Sequence, residues 1–87
     1  MNVFDVLVEV SLRTGVADPQ GSTVERSLPA LQVHGITGVR VGKAIRFAIA
    51  AADETAARVV VEDLCQRFLS NPVIEDTRVD ITANLSQ

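Results

Sequence analysis

The sequence predicts an α+β fold, one antiparallel sheet carrying two helices on a single face. Three observations lead there. Apolar residues alternate with period two from Phe4 to Leu12 and again from Val39 to Ile49. They recur at helical spacing from Ala57 to Phe68. Turn and capping residues separate these stretches, which places the elements in the order β-α-β-β-α-β.

The first strand runs over roughly 3–12. Phe4, Val6, Val8, Val10 and Leu12 share one parity, and Asp5, Glu9 and Ser11 share the other. Val3 and Leu7 also lie on the polar side, leaving apolar surface suited to a second subunit. Gly15 to Gly21 is a loop, with turn chemistry in Asp18-Pro19-Gln20-Gly21. Ser22-Thr23-Val24-Glu25 has the form of a capping box, which opens a helix by satisfying its free N–H groups. Val24, Leu28 and Leu31 give that helix an apolar stripe. Pro29 conflicts with a regular helix, which is therefore bent or short. It ends near His34-Gly35, with Gly35 as the stop.

Ile36 to Ala51 reads as two antiparallel strands, about 37–42 and 44–51, turning tightly at Gly42-Lys43. A single long bent strand is the competing reading. Asp53 caps a second helix over about 54–70. Ala57, Val60, Val61, Leu64, Cys65 and Phe68 form its apolar face, opposite Glu62, Asp63, Gln66 and Arg67. Asn71-Pro72 ends it, because proline cannot continue a helix. Val73 to Ala83 closes the sheet, with Val79 and Ile81 on one face and Arg78 and Asp80 on the other. This order is ferredoxin-like, a single domain over 1–87 with both helices on one face of the sheet. The other face is left uncovered and half apolar, through Val3, Leu7, Ala44 and Ala48. The chain is therefore expected to oligomerise through the sheet.

Composition narrows the function. A domain of 87 residues is marginal alone. With no Trp or Tyr and three Phe, its core is built from Val, Ile, Leu and Ala. A net charge of -3 and the lack of stacking aromatics argue against nucleic acid as a partner. No run approaches the roughly 20 apolar residues of a membrane span. The first residues lack a basic stretch followed by an apolar one, so the expected location is cytoplasmic.

No constellation of side chains points to catalysis. Gly38 to Ala44 is similar to a phosphate-binding loop, but it has three residues between its glycines and Ala44 where that loop needs Ser or Thr. A hairpin turn explains it better. The helix start at Asp18 to Ser22 has donors for an anion, which its own capping side chains occupy. Cys65 reads as a core residue, and the only histidine is His34. Glu75 and Asp76 are adjacent on a strand and point to opposite faces, so they do not form an acid-base pair. With one Cys and one His, no metal site or cofactor site is expected in this chain.

Three stretches are more specific than composition: Asp18-Pro19-Gln20-Gly21, Val39-Arg40-Val41-Gly42-Lys43 and Asn71-Pro72-Val73-Ile74-Glu75-Asp76. In this order and spacing the chain resembles the PurS family, the small subunit of bacterial phosphoribosylformylglycinamidine synthase, also called formylglycinamide ribonucleotide amidotransferase. The resemblance runs from about Val6 to Val79. It departs at Thr77, where the family usually has an aromatic, and at Gln32 and Val33, which replace a common glycine and aromatic. The resemblance implies a non-catalytic subunit that associates with itself as a dimer or tetramer. It also implies that this subunit bridges a large synthetase subunit and a glutaminase subunit in purine biosynthesis. ATP, magnesium and glutamine are then used by the partner subunits. The residues it implicates as interface or interface-shaping positions are Asp18, Pro19, Gln20, Gly21, Arg40, Gly42, Lys43, Asn71, Pro72, Glu75 and Asp76. Two other functions suit the same topology: a small-molecule-sensing module and an acylphosphatase-like hydrolase. The segment Leu12-Arg13-Thr14-Gly15-Val16-Ala17 has the arginine of such a hydrolase but not its anion loop.

Overall fold

A computed structural model describes residues 1–84 of the chain. β1 (Asn2–Leu12) is the central strand of a three-stranded sheet, flanked by β2 (Lys43–Ala51) and β3 (Glu75–Ala83). Both pairings are antiparallel, with Val6 opposite Phe47 on one side and Ile81 on the other. The pleat sends Phe4, Val6, Val8 and Val10 to one face, where each is buried. α2 (Glu54–Leu64) lays Ala57 and Val61 on them, with Cys65 just beyond. Removing a valine side chain of this kind from water stabilises the fold by about 1.5–2 kcal/mol. Among the described residues these side chains, with Ala51 of β2 and Ile81 of β3, make up the buried core.

α2 forms where its residues direct it. The Asp53 carboxylate accepts from the Ala56 N–H at 2.8 Å, and Glu54 sits in the first turn where the helix dipole favours an acid. Its last turn widens: Cys65–Leu69 is a π turn, closed by Ser70, whose N–H and hydroxyl both donate to the Cys65 carbonyl. The wider turn advances the register, so Leu69 packs against the core and Phe68 is turned out, 80% exposed. The expectation that Phe68 belongs to the apolar face is thus corrected, and Val60, 53% exposed, lies on the flank rather than beneath.

The α+β class, the antiparallel sheet and the two helices stand, but the middle of the chain differs from the sequence reading. The elements run β-α-β-α-β, with one strand where a hairpin of two was expected. Residues 37–42 form no strand. The Val39 N–H donates to Glu25 Oε1 at 3.0 Å and the Val41 N–H to Asp18 Oδ2 at 2.8 Å, so side chains take the alternate donors that a sheet ladder would use. Gly38, at φ 69°, also breaks the extended path. Gly42 is not a hairpin turn. A Cβ there would lie 2.7 Å from the Val10 carbonyl, so glycine allows the two backbones to approach.

α1 (Pro19–Ser27) starts earlier and ends sooner than expected. Asp18 is its cap, not Ser22: its carboxylate accepts from the Gly21 N–H at 2.9 Å, and Pro19 takes the first helical position, where its missing N–H costs nothing. Glu25 reaches Val39 instead of closing a capping box. The helix ends before Pro29, which opens a short 3₁₀ turn, Pro29–Leu31, and the chain then reverses at Gln32 rather than at Gly35. α1 is not seated on the sheet face beside α2. Gly21 is its only buried residue, and Val24 and Leu31 face solvent. The radius of gyration is accordingly 16.9 Å, against about 12 Å for a compact chain of this length.

Gln32 has φ 62°, in the left-handed region where a side chain is strained. Gln32→Gly is expected to stabilise the chain by about 0.5–1 kcal/mol, the strain relieved exceeding the added freedom of the unfolded chain. Thermal unfolding of the two proteins measures this directly.

Candidate functional site

The three specific stretches of sequence meet where β1 ends; Asp18 holds the first two together, and Arg13 joins the third. The Asp18 side chain is 6% exposed. One carboxylate oxygen accepts from Gly21 at the start of α1, and the other accepts from Val41 on the approach to β2. The Arg40 Nε lies 3.8 Å from the second oxygen. The hydrogen bonds from Gly21 and Val41, together with the nearby guanidinium, hold the Asp18 carboxyl below the usual carboxylate range, outweighing the opposite push of desolvation.

Arg40 continues the fastening. Its guanidinium donates to the carbonyls of Val16 (3.3 Å), Leu12 and Arg13 (both 3.2 Å), which secures the loop between β1 and α1. Three of its N–H groups are thereby committed within the chain. Lys43, the other cation of that stretch, is exposed and has no ion pair among the described residues.

The third stretch is a turn that bonds to itself and to the end of β1. Asn71 accepts with its side chain from Val73 and with its carbonyl from Glu75, while Glu75 Oε1 accepts from the Asn71 N–H at 2.7 Å. Arg13 joins this turn to β1. Its backbone N–H donates to Ile74, its guanidinium donates to the Pro72 carbonyl, and its Nε lies 3.4 Å from Asp76. Sequence reasoning did not single out Arg13 as part of this site. Its only signal is a cation at the exit of a strand, a weak one without knowledge of what lies opposite.

Asp18, Pro19, Gln20, Gly42, Lys43 and Glu75 line one open cleft of about 380 Å³. Arg40, Gly42, Lys43 and Asp76 border a second, of about 490 Å³. Gly21 lies beneath, where a Cβ would overlap the Val39 carbonyl. Asn71 and Pro72 are joined to the same end through Arg13 but line neither cleft. Glu75 and Asp76 diverge as expected, Glu75 toward Asn71 and Asp76 toward Arg13. All eleven candidate residues thus belong to one end of the sheet.

The chemistry of this end is that of a shaped polar surface. Its one buried acid is fully hydrogen-bonded, and no cluster of metal-ligating side chains occurs among the described residues. Cys65 is 1% exposed within the core, and burial pushes its thiol up, against the hydrogen bond with Thr77. His34 is exposed on the loop after the 3₁₀ turn. None of the described helices is long and apolar enough to cross a membrane.

Residues 5–83 match the family model PurS, described as phosphoribosylformylglycinamidine (FGAM) synthase. The phosphoribosylformylglycinamidine synthase subunit PurS of Bacillus subtilis is 35% identical over 98% of this chain and 100% of its own length. Among solved structures, Bacillus subtilis PurS superposes with a TM-score of 0.82 at 37% identity, covering 91% of this chain and 98% of that one. A chain of the PurLQS structure from Thermotoga maritima superposes with a TM-score of 0.86 at 32% identity, covering 94% and 100%.

Proposed function

The chain belongs to the PurS family of FGAM synthase subunits, and from that premise we propose that it is a non-catalytic adapter joining the synthetase and glutaminase subunits of that enzyme. The family's place in a multi-subunit synthase is carried by the PurLQS structure. The observation that supports the adapter role is the convergence of eleven motif residues on one end of the sheet, around an acid whose bonds organise backbone and not a reacting molecule. In this reading Pro19, Gln20, Lys43 and Asp76 meet a partner, while Asp18, Gly21, Arg40 and Gly42 hold the backbone that presents them. Exposed polar groups of this kind contribute orientation and selectivity more than affinity. ATP, magnesium and glutamine act in the partner subunits, and the assembly works in the cytoplasm in purine biosynthesis.

The adapter also associates with itself through the open face of the sheet. Val3, Leu7, Ala44, Ala48 and Ala50 make that face half apolar, and across its centre runs the row Arg46–Leu7–Asp80. A shallow depression of about 570 Å³ lies over this row. Arg46 and Asp80 flank Leu7 with opposite charges, a pattern that can complement itself across a two-fold axis.

Size-exclusion chromatography of the synthetase and glutaminase subunits, with and without this chain, tests the adapter role. All three are expected to elute together, and the first two to separate when the chain is left out. Stable co-elution of those two without it would remove the adapter role.

A further inference from the structure

β1 ends at Leu12, yet its ladder with β3 runs one residue further. The Arg13 N–H donates to the Ile74 carbonyl at 2.8 Å, so the last rung reaches the turn that precedes β3. The pleat then directs the Arg13 side chain. Ser11 and Arg13 share a parity, and Ser11 lies opposite Asp76. Arg13 is therefore the diagonal neighbour of Asp76, within reach of a long side chain. Its Nε lies 3.4 Å from the Asp76 carboxylate, and its guanidinium donates to the Pro72 carbonyl. Pro72 and Asp76 flank the tip of the turn, and one planar guanidinium grips both.

The turn is also closed from within. Asn71 Oδ1 accepts from the Val73 N–H at 3.1 Å, and the Asn71 carbonyl accepts from Ile74 and Glu75. Glu75 Oε1 accepts in return from the Asn71 N–H. Pro72 adds a fixed φ. What this network leaves in water is apolar. Val73 is 81% exposed, more than any other large apolar side chain described except Met1. A loop that only joins α2 to β3 needs neither an apolar tip nor a clamp from the neighbouring strand. Both suit a contact. A tip ordered in advance loses little freedom on binding, and its valine gains by leaving water.

The clamp also aims the tip. Asp76 borders the cleft that Lys43 lines, so a turn fastened to Asp76 is fixed relative to the surface assigned above to a partner. The tip lies away from the open sheet face where copies of the chain meet. Along β3, Glu75 is about 16 Å from Asp80 of the central row, and Val73 lies beyond it. We propose that Arg13 is the positioning residue of the assembly surface, holding turn 71–76 so that Val73 enters an apolar pocket of the partner subunit that meets Lys43 and Asp76. The inference rests on the adapter reading and adds two residues to the eleven already placed at this end.

The test is glutamine-dependent amidine formation by the synthetase and glutaminase subunits, measured as the chain or its variant is titrated in. Arg13→Ala is expected to raise the half-saturating concentration about tenfold and to leave the plateau rate unchanged, since Arg13 acts on assembly and not on the reacting molecules. Its side chain is 49% exposed, so the melting temperature should fall by less than about 4 °C. Amide exchange should quicken at Val73 and Ile74 and stay the same at Val8. Arg13→Lys should recover part of the loss, because an ammonium can serve one of the two acceptors but lacks the fork for both. Val73→Asp should raise half-saturation as much as Arg13→Ala.

Half-saturation unchanged in Arg13→Ala or in Val73→Asp would overturn the proposal. So would a rise that vanishes once each variant's concentration is corrected for its unfolded fraction, which would leave Arg13 a residue of stability alone. Sedimentation of the isolated chain covers the other occupant. A shift in self-association caused by either substitution would assign the tip to a second copy and overturn the proposal, with the adapter role intact. Full turnover without the natural chain would end the adapter reading and this inference together.

Discussion

Asp18→Ala is expected to lower the melting temperature at pH 7 by about 10 °C, the combined effect of a lost helix cap and an orphaned backbone donor at Val41. The loss should also be local in origin. Amide exchange at Val41 and Gly21 should accelerate far more than at Val8, which the sheet still covers. The pH dependence follows from the direction of the shift. The Asp18 carboxyl titrates lower in the folded chain than in the unfolded one, so the unfolded state binds the proton more readily at acid pH. Its contribution is complete above the ordinary carboxylate range and disappears as pH falls through the lower, folded value. The gap in melting temperature between the natural chain and Asp18→Ala should therefore be constant from pH 7 to about pH 5 and close below about pH 4. A gap that persisted at low pH would mean that the aspartate acts through packing and not through its charge.

Gly21→Ala should be nearly as damaging by a different route. The added methyl group would overlap the Val39 carbonyl, and the obstacle is backbone, which cannot rotate aside. Forcing the two apart costs about 1–3 kcal/mol, a fall of roughly 5–15 °C, and it strains the approach to β2 even though alanine is the better helix former. Gln20→Ala, one residue away, provides the contrast. Gln20 is exposed and lines the cleft, so its truncation should change stability by less than about 0.5 kcal/mol while weakening assembly with the partner subunits. If Gly21→Ala melted like the natural chain, the close seating of α1 against residue 39 would be wrong.

The parts of the fold that were legible in the sequence are those whose pattern is local. β1 could be read from its alternation because it is buried on one face only, and α2 from its cap and apolar spacing. The missing hairpin was not legible. The donors at Val39 and Val41 are satisfied by Glu25 and Asp18, which lie 14 and 23 residues away. Phe68 was misplaced because a π turn shifts the register without any mark in the apolar pattern. At α1 the sequence reading placed the cap at Ser22 and gave Asp18-Pro19 to a turn, whereas the structure offers a second cap at Asp18. The second prevailed because the Asp18 carboxylate satisfies donors in two segments at once. The site was legible as three motifs but not as one place. Arg40 read as a cation for a partner, whereas the structure turns its donors inward. Arg13 had no motif to reveal it.

The most direct test of the adapter is the rate of glutamine-dependent amidine formation by the synthetase and glutaminase subunits, titrated with this chain. The rate should rise from near zero, saturate at a fixed ratio of subunits, and remain zero for the chain alone. The Asp18→Ala chain should need a higher concentration to reach the same plateau, since what it lacks is the ordered contact surface. Full turnover by the two larger subunits in the absence of the chain, or turnover by the chain on its own, would contradict the account.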